Sequence, residues 1–332
     1  MAKDKRPFER DTLRIDPDAT GIARAAALLR AGKLVAFPTE TVYGLGADAR
    51  QGEAVAGIYE AKGRPSFNPL IAHVPSLRHA EQIGIFDAGA RLLAERFWPG
   101  PLTLVVPLRA DAGISALATA GLDSIALRVP SHPVAREILA LTETPIVAPS
   151  ANRSGRVSPT EAEHVWSDLA GRIDAIVEGW STPVGVESTI VSCLGPAPVL
   201  LRPGGVTRAD LEEALGMPLA DGASDVAKPV SPGLLESHYA PRAAVRLDAT
   251  TIQPGEAALL FGAFEPAGLD QAKAQLNLSF RGDLREAAAN LFAMLRRLDH
   301  LGVGTIGVAP IPSDGLGEAI HDRLRRAAAP RG

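Results

Sequence analysis

Lys62 and Arg64 stand two residues apart, Ser66 and Asn68 continue the alternation, and Gly63 and Pro65 restrict the backbone between them. A lysine point charge beside an arginine fork suits adjacent phosphate oxygens, and the neutral side chains add donors. A solvated basic turn would have the same composition. Only six of the 332 residues are lysine, which makes one inside such a segment conspicuous. The pattern GxxxxGK[ST] does not occur, so a triphosphate held here is held without a P-loop.

Four further segments concentrate polar chemistry. Pro38-Thr39-Glu40-Thr41-Val42-Tyr43-Gly44-Leu45-Gly46 follows an apolar run directly, where strand ends face ligand crevices in α/β proteins. A polar turn with glycines for tight geometry is the plainer alternative. Arg128 lies in the apolar run Ser124-Ile125-Ala126-Leu127-Arg128-Val129, and a charge buried there needs an anion from either a protein side chain or a substrate. Pro149-Ser150-Ala151-Asn152-Arg153-Ser154-Gly155, with Ser158 beyond, has the composition of an anion-binding nest or of a simple turn. Glu187-Ser188-Thr189 and Arg202-Pro203-Gly204 form the last pair.

None of these segments supplies a nucleophile with its base. The seven histidines share no metal-ligand spacing, and the single cysteine, Cys193, excludes an intrachain disulfide and a cysteine zinc site. No protein metal ligands are therefore expected. What remains is positioning chemistry, in which cations and donors cradle phosphates and a small acid.

The elements that must position these residues alternate between helical and strand-like patterns. Apolar runs at 34–37, 70–72, 102–106, 124–129, 146–148 and 189–192 read as buried strands. Helical spacing appears at 19–31, 88–97 and 133–141, and Thr160 with Glu163 suggests a capping box. Mixed α/β is the expected class, with a catalytic domain over 16–218. Glycine, serine and proline break all periodicity over 219–243, which reads as a linker or lid ending in His238-Tyr239-Ala240-Pro241. A smaller three-layer α/β domain is expected over 244–330. Leucines and alanines from Leu284 to Leu298 mark one helix there, and 317–328 a closing helix with an arginine-rich exposed face.

A net charge of −4 argues against coating nucleic acid by bulk charge. No apolar run approaches the ~20 residues of a membrane span, and the charged N-terminus has no secretory h-region. A reducing cytoplasm and no membrane contact are the expectation.

Taken in order and spacing, the segments at 38–46, 62–68, 149–155, 187–189 and 202–204 resemble the YrdC family. Ser231-Pro232-Gly233, His238-Tyr239-Ala240-Pro241 and the terminal Gly315-Leu316-Gly317-Glu318-Ala319-Ile320 with Arg323-Leu324-Arg325 resemble its longer, two-domain form. The resemblance implies a YrdC-like twisted mixed sheet. It also implies a nucleotidyltransferase that converts L-threonine, bicarbonate and ATP to threonylcarbamoyl-adenylate and diphosphate, with Mg²⁺, for the t6A modification of tRNA. It places threonine near Thr41, His73, Arg128, Ala148 and Ser188. ATP falls near Lys62, Arg64, Asn68, Ser124, Ser150, Ser158, Arg202 and Tyr239, with Lys62 and Arg64 as the catalytic cations. The implied partners are proteins that transfer the threonylcarbamoyl group to tRNA, with a weak tRNA contact.

One departure lies in Leu234-Leu235-Glu236-Ser237, less basic than the family's version, where Glu236 should point outward. The alternative to an enzyme is a structured-RNA-binding module, motivated by Arg323-Leu324-Arg325-Arg326. A carbamoyl-transferring maturation enzyme would need zinc-finger cysteines, and this sequence has none.

Overall fold

A computed structural model describes residues 10–63, 68–222 and 238–330. The first part of the chain runs β1 (Leu13–Ile15), α1 (Ala19–Arg30), β2 (Val35–Phe37), β3 (Gly44–Asp48), α2 (Gly52–Lys62), β4 (Ile71–His73), α3 (Leu77–Glu81), α4 (Ala88–Phe97) and β5 (Leu102–Pro107). It continues through α5 (Ala116–Thr119), β6 (Ser124–Arg128), α6 (Pro133–Thr142), β7 (Ile146–Val147), α7 (Ala162–Leu169), β8 (Ala175–Val177), β9 (Thr189–Ser192), β10 (Val199–Arg202), α8 (Arg208–Leu215) and β11 (Ala220–Asp221). These strands form one mixed sheet in the order β1-β8-β2-β3-β7-β4-β6-β5-β9-β10-β11. The sheet thus reaches slightly beyond 16–218 at both ends.

The apolar strand runs are continuous because both faces of the sheet are covered, with successive side chains pointing to opposite sides. Leu102, Leu104 and Val106 of β5, with Ile125 and Leu127 of β6, pack beneath α2, α4 and α8. On the opposite face α1 and α6 cover Val35, Phe37 and Ile146. Farther along that second face, Ile71, Val105, Ala126 and Ile190 form a separate apolar patch with partly buried Leu201, and no described helix contributes to it. That patch adjoins the candidate site.

Three expectations change. The segment 44–48 is a strand, not a glycine turn. A Cβ on Gly46 would lie 2.7 Å from the Phe37 ring and 3.1 Å from Ile146, so glycine is needed there for sheet packing. Lys62 is the last residue of α2 rather than a loop residue, and Gly63 in the left-handed region (φ 61°) ends the helix. Glu161, with no side-chain cap, starts α7, so Thr160 and Glu163 form no capping box. Glu163 instead pairs with Arg14 at 2.9 Å. A capping box does start α8, between Thr207 and Asp210.

The second domain holds β12 (Ala244–Arg246), β13 (Ala257–Leu260), β14 (Ala274–Asn277), α9 (Leu284–His300), β15 (Thr305–Val308) and α10 (Leu316–Ala328). Its sheet is wholly parallel, in the order β12-β15-β13-β14. Helices α9 and α10 pack on one face, and the loop at Ala249 and Ile252 with Leu269 covers the other. The core under the helices also takes in Val42, Val157 and Val186 of the first domain, so the two domains share an apolar joint. Of the expected linker, 223–237 lies outside the described residues, Glu236 included.

At that joint a Cβ on Gly185 (φ 73°) would fall 2.3 Å from the Ala288 carbonyl oxygen and 2.4 Å from the Ala289 Cα of α9. Gly185→Ala should therefore lower stability by about 2–4 kcal/mol in urea unfolding, through backbone strain and overpacking together. A loss under about 0.5 kcal/mol would show that the joint yields freely.

Candidate active site

Segments far apart in sequence meet at one cavity because β4 and β6 run parallel and end together. His73 and Arg128 are paired in register at those ends. Around them the cavity is lined by Thr41, Val42, Lys62, Ile71, Ala148, Pro149, Ser150, Ser154, Glu187, Ser188, Arg202, His238 and Tyr239.

Arg128 is buried and its anion is a protein side chain. Glu40 Oε1 stands 2.7 Å from Nη2, while Nη1 donates to Thr41 Oγ1 at 2.9 Å and Nε to the Gly100 carbonyl at 3.4 Å. The buried charge is thus balanced before any substrate arrives. The burial argument alone no longer points to a substrate carboxylate. His73 is also buried, and its Nδ1 has no hydrogen-bond partner among the described residues. Burial, reinforced by the Arg128 charge, pushes its pKa down to about 3, so it is neutral at ordinary pH.

Lys62, 4% exposed, joins two of the polar segments. Its Nζ donates to the Ser150 carbonyl at 2.5 Å and the Asn152 carbonyl at 2.6 Å, with Asn152 Oδ1 at 3.4 Å. The Ser154 amide donates back to the Lys62 carbonyl at 3.0 Å. The end of α2 and the 150–154 turn are therefore one clasp. Arg202, buried at the end of β10, donates from Nη2 to the Ser188 carbonyl at 2.9 Å. Burial lowers its pKa, although Tyr239 and Glu187 oppose that shift. The Ser188 hydroxyl is hydrogen-bonded to Thr103 at 2.7 Å.

Nine of the expected contacts line this cavity: Thr41, Lys62, His73, Arg128, Ala148, Ser150, Ser188, Arg202 and Tyr239. Three do not. The Ser158 hydroxyl is spent on Glu187 Oε1 at 2.5 Å. Asn68 is buried, its carbonyl accepting from the Tyr59 hydroxyl at 3.0 Å. Ser124 sits at the start of β6, opposite Pro107. Arg64 lies outside the described residues.

The sequence analysis places Glu40, Glu187 and Arg323 within motifs but gives none of them a role at this site. Arg323, expected on an exposed face of α10, is 1% exposed, and its Nε donates to Glu187 Oε2 at 2.7 Å. The available signal was helical spacing, since Arg323 falls on the same stripe as Ile320 and Ala327. Cys193 is buried, which raises its thiol to about 12, in keeping with an inert core residue.

Among the described residues no group of three or more His, Cys, Asp or Glu could hold a metal ion. Glu187 at the cavity and Glu40 behind Arg128 are both engaged by arginines. The described protein groups do not fit a resident Mg²⁺ site. No described helix is long and apolar enough to cross a membrane.

The family described as "Telomere recombination" (Sua5, YciO and YrdC) matches residues 27–204. The "Threonylcarbamoyl-AMP synthase, C-terminal domain" family matches residues 206–329. A threonylcarbamoyl-AMP synthase of Bacillus subtilis is 45% identical over 99% of both chains. One of Pyrococcus abyssi is 42% identical over 92% of this chain and 94% of its own. The crystal structure of P. abyssi Sua5 complexed with L-threonine superposes with a TM-score of 0.86, at 38% identity and covering 96% of this chain and 97% of that one. The chain belongs to the Sua5/YciO/YrdC family, in its two-domain Sua5 form.

Proposed function

We propose that this chain is a nucleotidyltransferase that makes L-threonylcarbamoyl-adenylate from L-threonine, bicarbonate and ATP, releasing diphosphate. The observation that carries this reading is one cavity joining two kinds of chemistry. Lys62 and Arg202 offer positive charge to phosphates, and Thr41, His73, Arg128, Ala148 and Ser188 surround a space suited to a small amino acid. His73 Nδ1 holds no hydroxyl among the described residues, in keeping with a nucleophile that does not come from a serine or threonine paired with His73.

The nucleophile is then derived from substrate. The threonine amine attacks the bicarbonate carbon, a C–N bond forms, and water leaves to give the carbamate. A carbamate oxygen attacks the α-phosphorus of ATP, the bond from that phosphorus to the bridging oxygen breaks, and diphosphate departs with the electron pair. Lys62 and Arg64 are assigned to the charge that builds on the leaving group. Neutral His73, with an unpartnered Nδ1, is assigned to threonine as an acceptor. Ser124 and Arg128 face the same side of β6 four residues apart, roughly 13 Å at strand rise, so an extended nucleotide could reach from one to the other. Asn68 and Ser158 stay in the proposal as contacts formed once ATP is bound. Mg²⁺ is proposed as the counter-ion of the nucleotide's phosphates, with no protein carboxylate assigned to it.

The cavity encloses about 50 Å³. Sites for ligands larger than a few atoms run to about 300–1,000 Å³, so ATP entry is proposed to displace part of the wall beside His238. The product is a mixed anhydride, prone to hydrolysis, and its hand-over to tRNA threonylcarbamoyl-transfer proteins belongs to the same proposal. So do a weak tRNA contact and a cytoplasmic setting. The RNA-binding alternative loses two of its three arginines, Arg323 to Glu187 and Asp322 and Arg326 to Asp322, which leaves Arg325 as the exposed one.

Diphosphate release should depend on both threonine and bicarbonate, and equal rates with alanine would overturn the reaction. Lys62→Ala should lower the rate by roughly 10²-fold, the scale for losing an electrostatic stabiliser, and a near-normal rate would remove Lys62 from catalysis.

His73 carries a pH signature of its own. Its folded pKa lies below the unfolded value, so the stability linked to neutral His73 is complete above about 6.5 and is lost as pH falls towards 3. His164, lowered to about 4 by burial, adds a parallel loss. His73→Gln should reduce the slope of unfolding free energy between pH 6 and 4.5 by about 1.4 kcal/mol per pH unit in urea titrations. An unchanged slope would show that His73 binds its proton equally readily in the folded and unfolded chain.

A further inference from the structure

We propose that Arg323, on the last helix of the second domain, is a positioning residue for the cavity of the first, holding the Glu187–Ser188 segment and backing the Tyr239 ring. The inference deepens the proposed reaction and rests on it only for its kinetic readout.

The guanidinium touches all three sides of this corner. Nε donates to Glu187 Oε2 at 2.7 Å, and Nη1 donates to the Pro203 carbonyl at 3.0 Å and to Asp322 Oδ2 at 2.6 Å. The charged carbon lies 5.3 Å from the centre of the Tyr239 ring. Glu187 precedes Ser188 and Pro203 follows Arg202, so one side chain from α10 grips the neighbours of two cavity residues and faces a third. The other Glu187 oxygen accepts from Ser158, which fixes the carboxylate from both ends.

The turns it grips have no room to slip. A Cβ on Gly204 would lie 2.4 Å from the Glu187 carbonyl oxygen and 2.4 Å from the Thr189 amide nitrogen. A shift at Pro203 would therefore be felt at Ser188. Tyr239 is held in the left-handed region at φ 61°, with its hydroxyl buried and unpartnered among the described residues. A backbone that costly persists only where its surroundings hold it. Phe292 of α9, stacked at 5.5 Å, and Arg323 are the second domain's contributions to that hold.

Among the described residues two other ion pairs join the domains and provide a comparison. Arg296 pairs with Asp168 at 2.6 Å and Arg208 with Glu318 at 2.7 Å, and none of these four residues lines the cavity. All three pairs tie the domains together, but only the Arg323 pair ends on a cavity wall.

The test compares Arg323→Met and Arg323→Lys with Arg296→Met in the full-length chain, with circular dichroism and melting confirming folded protein at the assay temperature. Arg323→Met should lower kcat/KM for threonine by roughly tenfold or more, because it strands a buried carboxylate at the cavity. Arg323→Lys, which keeps the charge but not the fork, should fall between the Met variant and the wild type. Adding Glu187→Gln to Arg323→Met should recover roughly threefold or more by removing the stranded charge. Arg296→Met should stay within about twofold of the wild type.

Hydrogen exchange of the ligand-free chain gives a readout independent of the reaction. Arg323→Met should speed exchange at 186–190 and Arg296→Met should not. Wild-type kinetic constants in the Arg323 variants, or losses matched by Arg296→Met, overturn the proposal. Unchanged exchange at 186–190 overturns it too, and remains decisive if only Arg323→Lys folds. Faster exchange at 186–190 in a protein without threonine-dependent activity would instead uphold the positioning role and reject the reaction.

Discussion

A guanidinium taken out of water must meet an anion or carbonyl oxygens aimed at its N–H groups, and this requirement organises the molecule. Arg128 is answered by Glu40, which ties the end of β6 to the loop after β2. Arg202 is answered by the Ser188 carbonyl, which ties β10 to the start of β9. Arg296 and Arg323 are answered by Asp168 and Glu187 from the other domain. Each desolvated ion costs several kcal/mol, so such pairs add little net stability, but leaving one partner alone is far more costly. The contacts of Arg128, Arg202 and Arg323 restrict the chain to one arrangement of loops around the cavity, while the Arg296 pair joins the domains away from it.

The two-sided strands were legible because an apolar run of four to six residues has few other homes. The strand at 44–48 was not, since two glycines and an aspartate give it poor strand propensity and its need for glycine comes from Phe37 and Ile146 across the sheet. Helix α2 was missed for a similar reason. Gly52 and Gly57 dilute its pattern, and Leu34 packs against the space at Gly57. At the site, the residue types of Thr41, Lys62, Arg128 and Arg202 announced polar chemistry. Their partners did not announce themselves. Glu40 and Glu187 looked like ordinary carboxylates, and the bond from Glu187 to Arg323 spans 136 positions that no local pattern connects.

The second domain is accordingly more than an appendage. Val42, Val157 and Val186, all next to site residues or the residues that brace them, are buried in its core. Its all-parallel sheet carries α9 and α10 on one face, and those two helices meet the first domain. The site is thus braced by a unit that supplies none of the cavity's lining residues.

The Lys62 clasp has a consequence for how an anion would be received. The ammonium has three N–H groups, and the Ser150 and Asn152 carbonyls already take two of them at close range. A phosphate oxygen that claimed one of those would have to release a backbone carbonyl in exchange. Occupancy would then be written into the 150–154 turn itself. The lysine would act as a toggle between two sets of oxygens, and the turn's conformation would register which set holds it.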